Sequence, residues 1–317
     1  MSKPNFHPST RPTGLRVHRR SIATAATLAC LAIAVAAQVR VNYHDQDFTL
    51  QNFDTFSATL ENQGTDFQGA GKPLNIQSKA SGLTVTGAQA NGSAQRGPTQ
   101  AYFLKDLTVT GNAILNQDTA AAHQYAVDQA TAAGTPKPPA SPDNTTTKLS
   151  TESLHFTGDA ANGRADFQSA VVVDSQSAGT RVSSQSTTDF TRIIHLTGSS
   201  GFITLAVAPA NGKNPLKTGE LKGPVTFSIH NEDKTAKSPV QVTTIDGKAD
   251  SLKFDLATQP GTITLTGNVT MNGKGPAATG EINADNVVVT LDANMQPTKV
   301  EVTGAPATTR LHQEPPK

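Results

Sequence analysis

Eight histidines and 25 carboxylates are the side chains of this chain that could move protons or hold a metal ion, and their spacing bears on whether they do. The histidines, His7, His18, His44, His123, His155, His195, His230 and His312, are dispersed. None stands at a zinc-ligand interval from another or from Cys30, the single cysteine. His155 and His195 each fill the second place of a strand that ends in Thr-Gly, a polar slot expected to face solvent. Asp45 with Asp47, and Glu232 with Asp233, could in principle share acid and base work or a cation. They lie in polar stretches without the glycine-containing pattern of a calcium loop, so they read as solvated turns. "GDAANGRA" from Gly158 and "GPAATGEI" from Gly275 have the glycine separation of a phosphate loop. Arg164-Ala165 and Glu281-Ile282 stand where that loop needs Lys and then Ser or Thr, so both stretches predict hairpins. No G-x-S-x-G elbow occurs. The pattern therefore predicts no catalytic residue, no metal and no cofactor. With no Trp and only Tyr43, Tyr102 and Tyr125, the chain also lacks the rings for a sugar-stacking platform.

Charge narrows the partners. Of the 26 basic residues, five (Lys3, Arg11, Arg16, Arg19 and Arg20) precede residue 21, where no acid occurs. That leaves 21 basic against 25 acidic residues, a balance of −4 beneath the overall +1. No basic cluster occurs in the remainder, so a nucleic-acid partner is not expected. Arg16, Arg19 and Arg20 lead into an uncharged run from Ser21 to Val39, after which Arg40 restores charge. The run is long for a signal peptide and about the minimum for a spanning helix, while Ala34 and Ala36 offer a cleavage pattern. Residues 1–20 are expected as a basic cytoplasmic segment, and 21–39 as a transmembrane anchor or a cleaved signal peptide. Both readings place the remainder in the periplasm. Cys30 lies inside this run, so the exported part has no disulfide to form and must rely on packing.

Beyond residue 40 the chain alternates with a period of two. "LTVTG" occurs at Leu83 and Leu107, "LHFTG" at Leu154, "IHLTG" at Ile194, "ITLTG" at Ile263 and "VEVTG" at Val300. Each reads as a half-buried antiparallel strand, with the glycine relieving packing where the strand bends or bulges. Irregular intervals between them exclude a strict solenoid. Further strands are expected from Ala165, Gly201, Pro224, Lys248 and Asn286, giving an all-β chain in the form of a sandwich, barrel or elongated roll. Residues 41–116 form a first strand-rich part and 151–304 a second. Between them, 117–150 reads as an Ala/Pro-rich linker or insertion containing at most a short helix, and 305–317 as a disordered tail.

Between Gly247 and Gly304 the order of motifs is distinctive. Ala249-Asp250 precedes Leu252, Phe254 and Asp255; then come Leu265, Gly267, Asn268 and Val269, and Ala284-Asp285 before "VVVTLD". This resembles the repeat of periplasmic lipopolysaccharide-transport proteins of the LptA/OstA and LptC kind, with Phe254 where a tyrosine is common. The resemblance implies an elongated, twisted β-jellyroll that binds the lipid A portion of lipopolysaccharide and hands it towards the outer membrane. It also implies other Lpt-type jellyroll proteins and an inner-membrane ABC transporter as partners, with self-association through edge strands. A retained membrane segment is similar to the LptC arrangement and a cleaved one to LptA.

In that reading one face of each strand walls a lipid groove: Leu252, Phe254, Ile263, Leu265, Val269, Met271, Val287, Val289 and Leu291, with Ile203, Leu205, Phe227 and Ile229 from an earlier part. An ordinary filled core demands the same pattern. A structural envelope protein or adhesin-like β-stalk with a closed core is therefore the alternative.

Overall fold

The computed structural model describes residues 41–313, apart from 45–47, 62–63, 97–101, 140–142, 160, 183–186, 207–215, 236–237, 276–277, 293–296 and 305–306. The segments expected at 1–20 and 21–39 lie outside the described residues. Among the described residues no helix is long and apolar enough to cross a membrane.

The elements run β1 (Val41–His44), β2 (Phe48–Phe53), β3 (Thr55–Glu61), β4 (Gly64–Ser78), β5 (Leu83–Arg96) and β6 (Tyr102–Asp118), then helix α1 (Thr119–Ala133). They continue with β7 (Asp143–Gly158), β8 (Asn162–Phe167), β9 (Val171–Val182), β10 (Thr187–Gly198), β11 (Ser200–Ala206) and β12 (Leu216–Thr235). The last are β13 (Ser238–Asp255), β14 (Gly261–Lys274), β15 (Ala278–Leu291), β16 (Pro297–Thr303) and β17 (Thr308–Gln313). The all-β class is as expected, and the pairings are antiparallel.

Most long strands are bent near the middle, where the register slips: at Thr86/Gln89 in β5, Thr110/Ala113 in β6, Lys222/Val225 in β12, Lys248/Ser251 in β13 and Thr266/Val269 in β14. Thr-Gly motifs mark three of these corners, in β5, β6 and β14. At "TGN" in β6 and again in β14, glycine and asparagine are both left-handed: Gly111 (φ 76°) with Asn112 (58°), and Gly267 (77°) with Asn268 (47°). The extra residue of a bulge needs this conformation, which Gly and Asn adopt at least cost. A side chain of the preceding strand seats over the bare glycine, Ala88 over Gly111 and Asp250 over Gly267. The Thr-Gly of β7 instead ends its strand at the hairpin into β8, where Asp159 N–H donates to the Asn162 carbonyl at 2.8 Å.

Because the strands bend, the continuous sheet folds over and its two halves share one core. Half I contains β3, the first parts of β4, β6, β12 and β14, the second parts of β5, β7, β13 and β15, and β8, β11 and β16. Half II contains β1, β2, the complementary parts of the bent strands, and β9, β10 and β17. A single hydrophobic cluster runs from Leu50 to Leu291, through both strand-rich parts of the sequence.

Two expectations need correction. The stretch 117–150 is not a linker throughout: Gln117 and Asp118 complete β6, and β7 begins at Asp143 and pairs with both β6 and β9. Its first inward residues are threonines, which face serines across the ladder, with Thr145 Oγ1 3.0 Å from Ser177 Oγ and Thr147 Oγ1 3.1 Å from Ser175 Oγ. Residues 143–148 are all polar and give no apolar period to read. Nor is the C-terminal stretch disordered throughout, since Thr308–Gln313 forms β17 on the edge of β15. That strand rests on backbone pairing, with Thr308–Arg310 exposed.

Candidate functional site

Cross-strand register sorts the inner face of half II into rows. The row nearest the corners after the bulges reads Val173, Leu196, Phe227, Gly247 and Met271 on β9, β10, β12, β13 and β14. The next reads Ser175, Ile194, Ile229 and Ile245, and the third Ser177, Arg192, Asn231 and Thr243. Facing them, half I presents Leu221, Leu252, Leu265 and Val287 in one row and Gly219, Phe254, Ile263 and Val289 in the next. Aromatic rings fill the places that glycines leave: a Cβ on Gly219 would overlap the Phe254 ring, and one on Gly247 the Phe227 ring.

Between these faces the halves part into a narrow apolar cleft. It is lined by Ile194, Leu196, Phe227, Ile229, Ile245 and Met271 from half II and by Leu216, Leu252, Phe254, Leu256, Ile263, Leu265, Val289, Leu291 and Pro297 from half I, with Arg192 and Asn231 at one side. The free volume is about 60 Å³, so a chain longer than a few carbons enters only as side chains part. Ile194, Ile229, Ile245, Leu256 and Ile263 remain half-buried, whereas the core around Leu107, Val109 and Leu154 is fully enclosed at 0% exposure.

Of the residues expected to wall a groove, Leu252, Phe254, Ile263, Leu265, Met271, Val289, Leu291, Phe227 and Ile229 line this cleft. Val269, Val287, Ile203 and Leu205 do not line it; they are buried in the adjoining core at 0–2% exposure. Sequence reasoning missed Arg192, Ile194, Leu196, Leu216, Asn231, Ile245, Leu256 and Pro297. Parity carries the signal for four of these: Phe190, Arg192, Ile194 and Leu196 alternate on β10, and Asn231 follows Phe227 and Ile229 in phase on β12. An inward arginine breaks the apolar pattern that a search for hydrophobic faces follows.

Arg192 is only 6% exposed. Its Nε donates to Asn231 Oδ1 at 2.8 Å. Burial, and secondarily the neighbouring Arg181, pull its pKa down to about 10, while the carboxylates of Asp233, Asp292 and Asp143 oppose the shift. It therefore stays charged at neutral pH. Arg181 lies 3.9 Å above the Phe190 ring, and its Nη1 is 3.4 Å from Asp233 Oδ1. Burial raises the pKa of Asp143, against the pull of Arg181 and Arg192. A buried cation thus borders the aliphatic cleft.

The outward histidines behave as surface groups: His155 Nε2 lies 3.1 Å from Asp106 Oδ2, His195 Nδ1 2.6 Å from Asp174 Oδ1 and His230 Nε2 3.0 Å from Glu232 Oε1. Among the described residues no group of three or more His, Cys, Asp or Glu could hold a metal ion. No protein-family model, curated protein or solved structure matches the chain.

Proposed function

We propose that this protein is a non-enzymatic lipid carrier of the cell envelope, an LptA/LptC-like β-jellyroll that holds the lipid A acyl chains of lipopolysaccharide between its two halves and passes them towards the outer membrane. The observation that supports this reading most is the cleft: aliphatic walls from both halves, built from nine of the residues expected on sequence grounds. Apolar burial is non-directional and worth about 25 cal/mol per Å², so such walls accept acyl chains without a fixed pose. An inner-membrane ATPase partner would supply the energy of transfer, and residues 21–39 would hold or release the carrier at that membrane.

A second reading draws on the enclosed core around Leu107, Val109 and Leu154 and on the small free volume of the cleft. In it the protein is a structural element of the envelope, with its interior filled throughout.

Photo-crosslinking in lipopolysaccharide-producing cells separates the two. A benzophenone side chain at Ile263, half-buried in the cleft, and one at Thr264, on the opposite face of β14, form the pair. Lipopolysaccharide adducts at Ile263 and not at Thr264 are the outcome expected of the carrier. No adduct at either position, in a folded and exported protein, would overturn it in favour of the structural role.

A further inference from the structure

We infer that Arg192 and Asn231 form a head-group subsite at the polar side of the cleft, selecting amphiphiles whose head carries an oxyanion, phosphate or carboxylate. This rests on the carrier reading and adds to it a specificity. Along β10 the inward residues change from Ile194 to Arg192 in one step of the pleat, about 6.8 Å. The neighbouring strand changes in register with it, from Ile229 to Asn231. A single line across the ladder therefore divides apolar wall from polar wall, as an amphiphile divides tail from head.

Both side chains line the cleft while almost closed to bulk solvent, at 6% and 4% exposure. Asn231 Oδ1 accepts from Nε and so fixes the plane of the guanidinium, a fork that matches an oxyanion in two-point contact. Asp143, Asp233 and Asp292 surround the guanidinium electrostatically, so an incoming oxyanion competes with them, and Arg181 adds a second cation. A buried arginine is a poor device for closing a core, because well-packed apolar side chains of similar volume do so as well or better. Beside the narrow aliphatic cleft the cation stands where a head group would lie, in competition with those carboxylates.

The test measures binding of the folded full-length chain, by calorimetry below the micellar concentration, to dodecyl phosphate, dodecanoate and neutral monolauroylglycerol. The wild type should bind at least one anionic probe about tenfold more tightly than the neutral one. Arg192→Gln should bring the two within about twofold, and Arg192→Lys should restore part of the preference. Should Arg192→Gln fail to fold, Asn231→Ala serves in its place, with a reduced preference expected. Phosphate against dodecanoate tells which oxyanion the fork favours. Equal binding of anionic and neutral probes by the wild type, or a preference that survives Arg192→Gln, overturns the head-group subsite and leaves the cleft as a tail site. Binding of no probe overturns the carrier reading together with the subsite.

Discussion

At the corner of β14, Asn268 Nδ2 donates to Asp250 Oδ2 at 2.8 Å, and the same carboxylate lies over the bare α-carbon of Gly267. Three residues thus define one bend: a glycine that must stay left-handed, an asparagine that tolerates that conformation, and an aspartate that fills the space the glycine leaves. A Cβ at Gly267 would meet the Asp250 carboxylate and would also sit at a φ of 77°, which side chains disfavour. Gly267→Ala is therefore expected to lower unfolding free energy by about 1–3 kcal/mol, read from the urea midpoint. Asp250→Ala removes the obstructing carboxylate along with the hydrogen bond. The double variant should accordingly lose less than the sum of the two, whereas strict additivity would deny the contact its role.

Helix α1 shows what an element can be when little of it packs. Asp118 caps it, its Oδ1 accepting from Ala120 N–H at 2.9 Å and Ala121 N–H at 3.1 Å, and Gly134 ends it in a left-handed turn. Only Thr119 and Ala122 are buried, and Thr119 Oγ1 accepts from Thr145 N–H at 2.8 Å, tying the first turn to β7. Ala-rich composition supports the helix locally, and the cap and that tie fix its first turn. Asp118→Ala should cost the helix about 1 kcal/mol. Amide exchange over residues 120–133 is expected to quicken while exchange in β5 and β6 stays unchanged; protection lost throughout would mean that the helix is integral to the core.

Across the whole strand unit the packing is graded, enclosed around β5 to β7 and looser between β10 and β16. One continuous cluster links both regions, so unfolding should remain a single transition even though mutational costs differ along it. Leu154, fully buried, should cost about 2–5 kcal/mol on truncation to Ala. Ile263, half-buried on the cleft, leaves less enclosed space behind and should cost about 1 kcal/mol. Chemical denaturation of Leu154→Ala and Ile263→Ala checks this; equal losses would mean that the cleft is as tightly filled as the rest.

The alternation of apolar and small polar residues, recurrent Thr-Gly and scarcity of helical pattern were enough to determine an all-β chain, its antiparallel strands and the inward parity of residues such as Leu252, Phe254, Leu265 and Met271. These are local consequences of a two-residue period and of what glycine permits. The same pattern could not tell a wall from a core, because Val287 and Val289 read alike although only Val289 borders the cleft. It also passed over β17 and the first part of β7, residues 143–148, whose threonines and exposed polar residues carry no apolar period and which form because their backbone groups find partners on β15 and β9. Arg192 is the sharpest case: its inward parity was readable, but its burial beside Asn231 depends on β9, β10 and β12 lying in register, and register between distant segments is settled only when the strands pair.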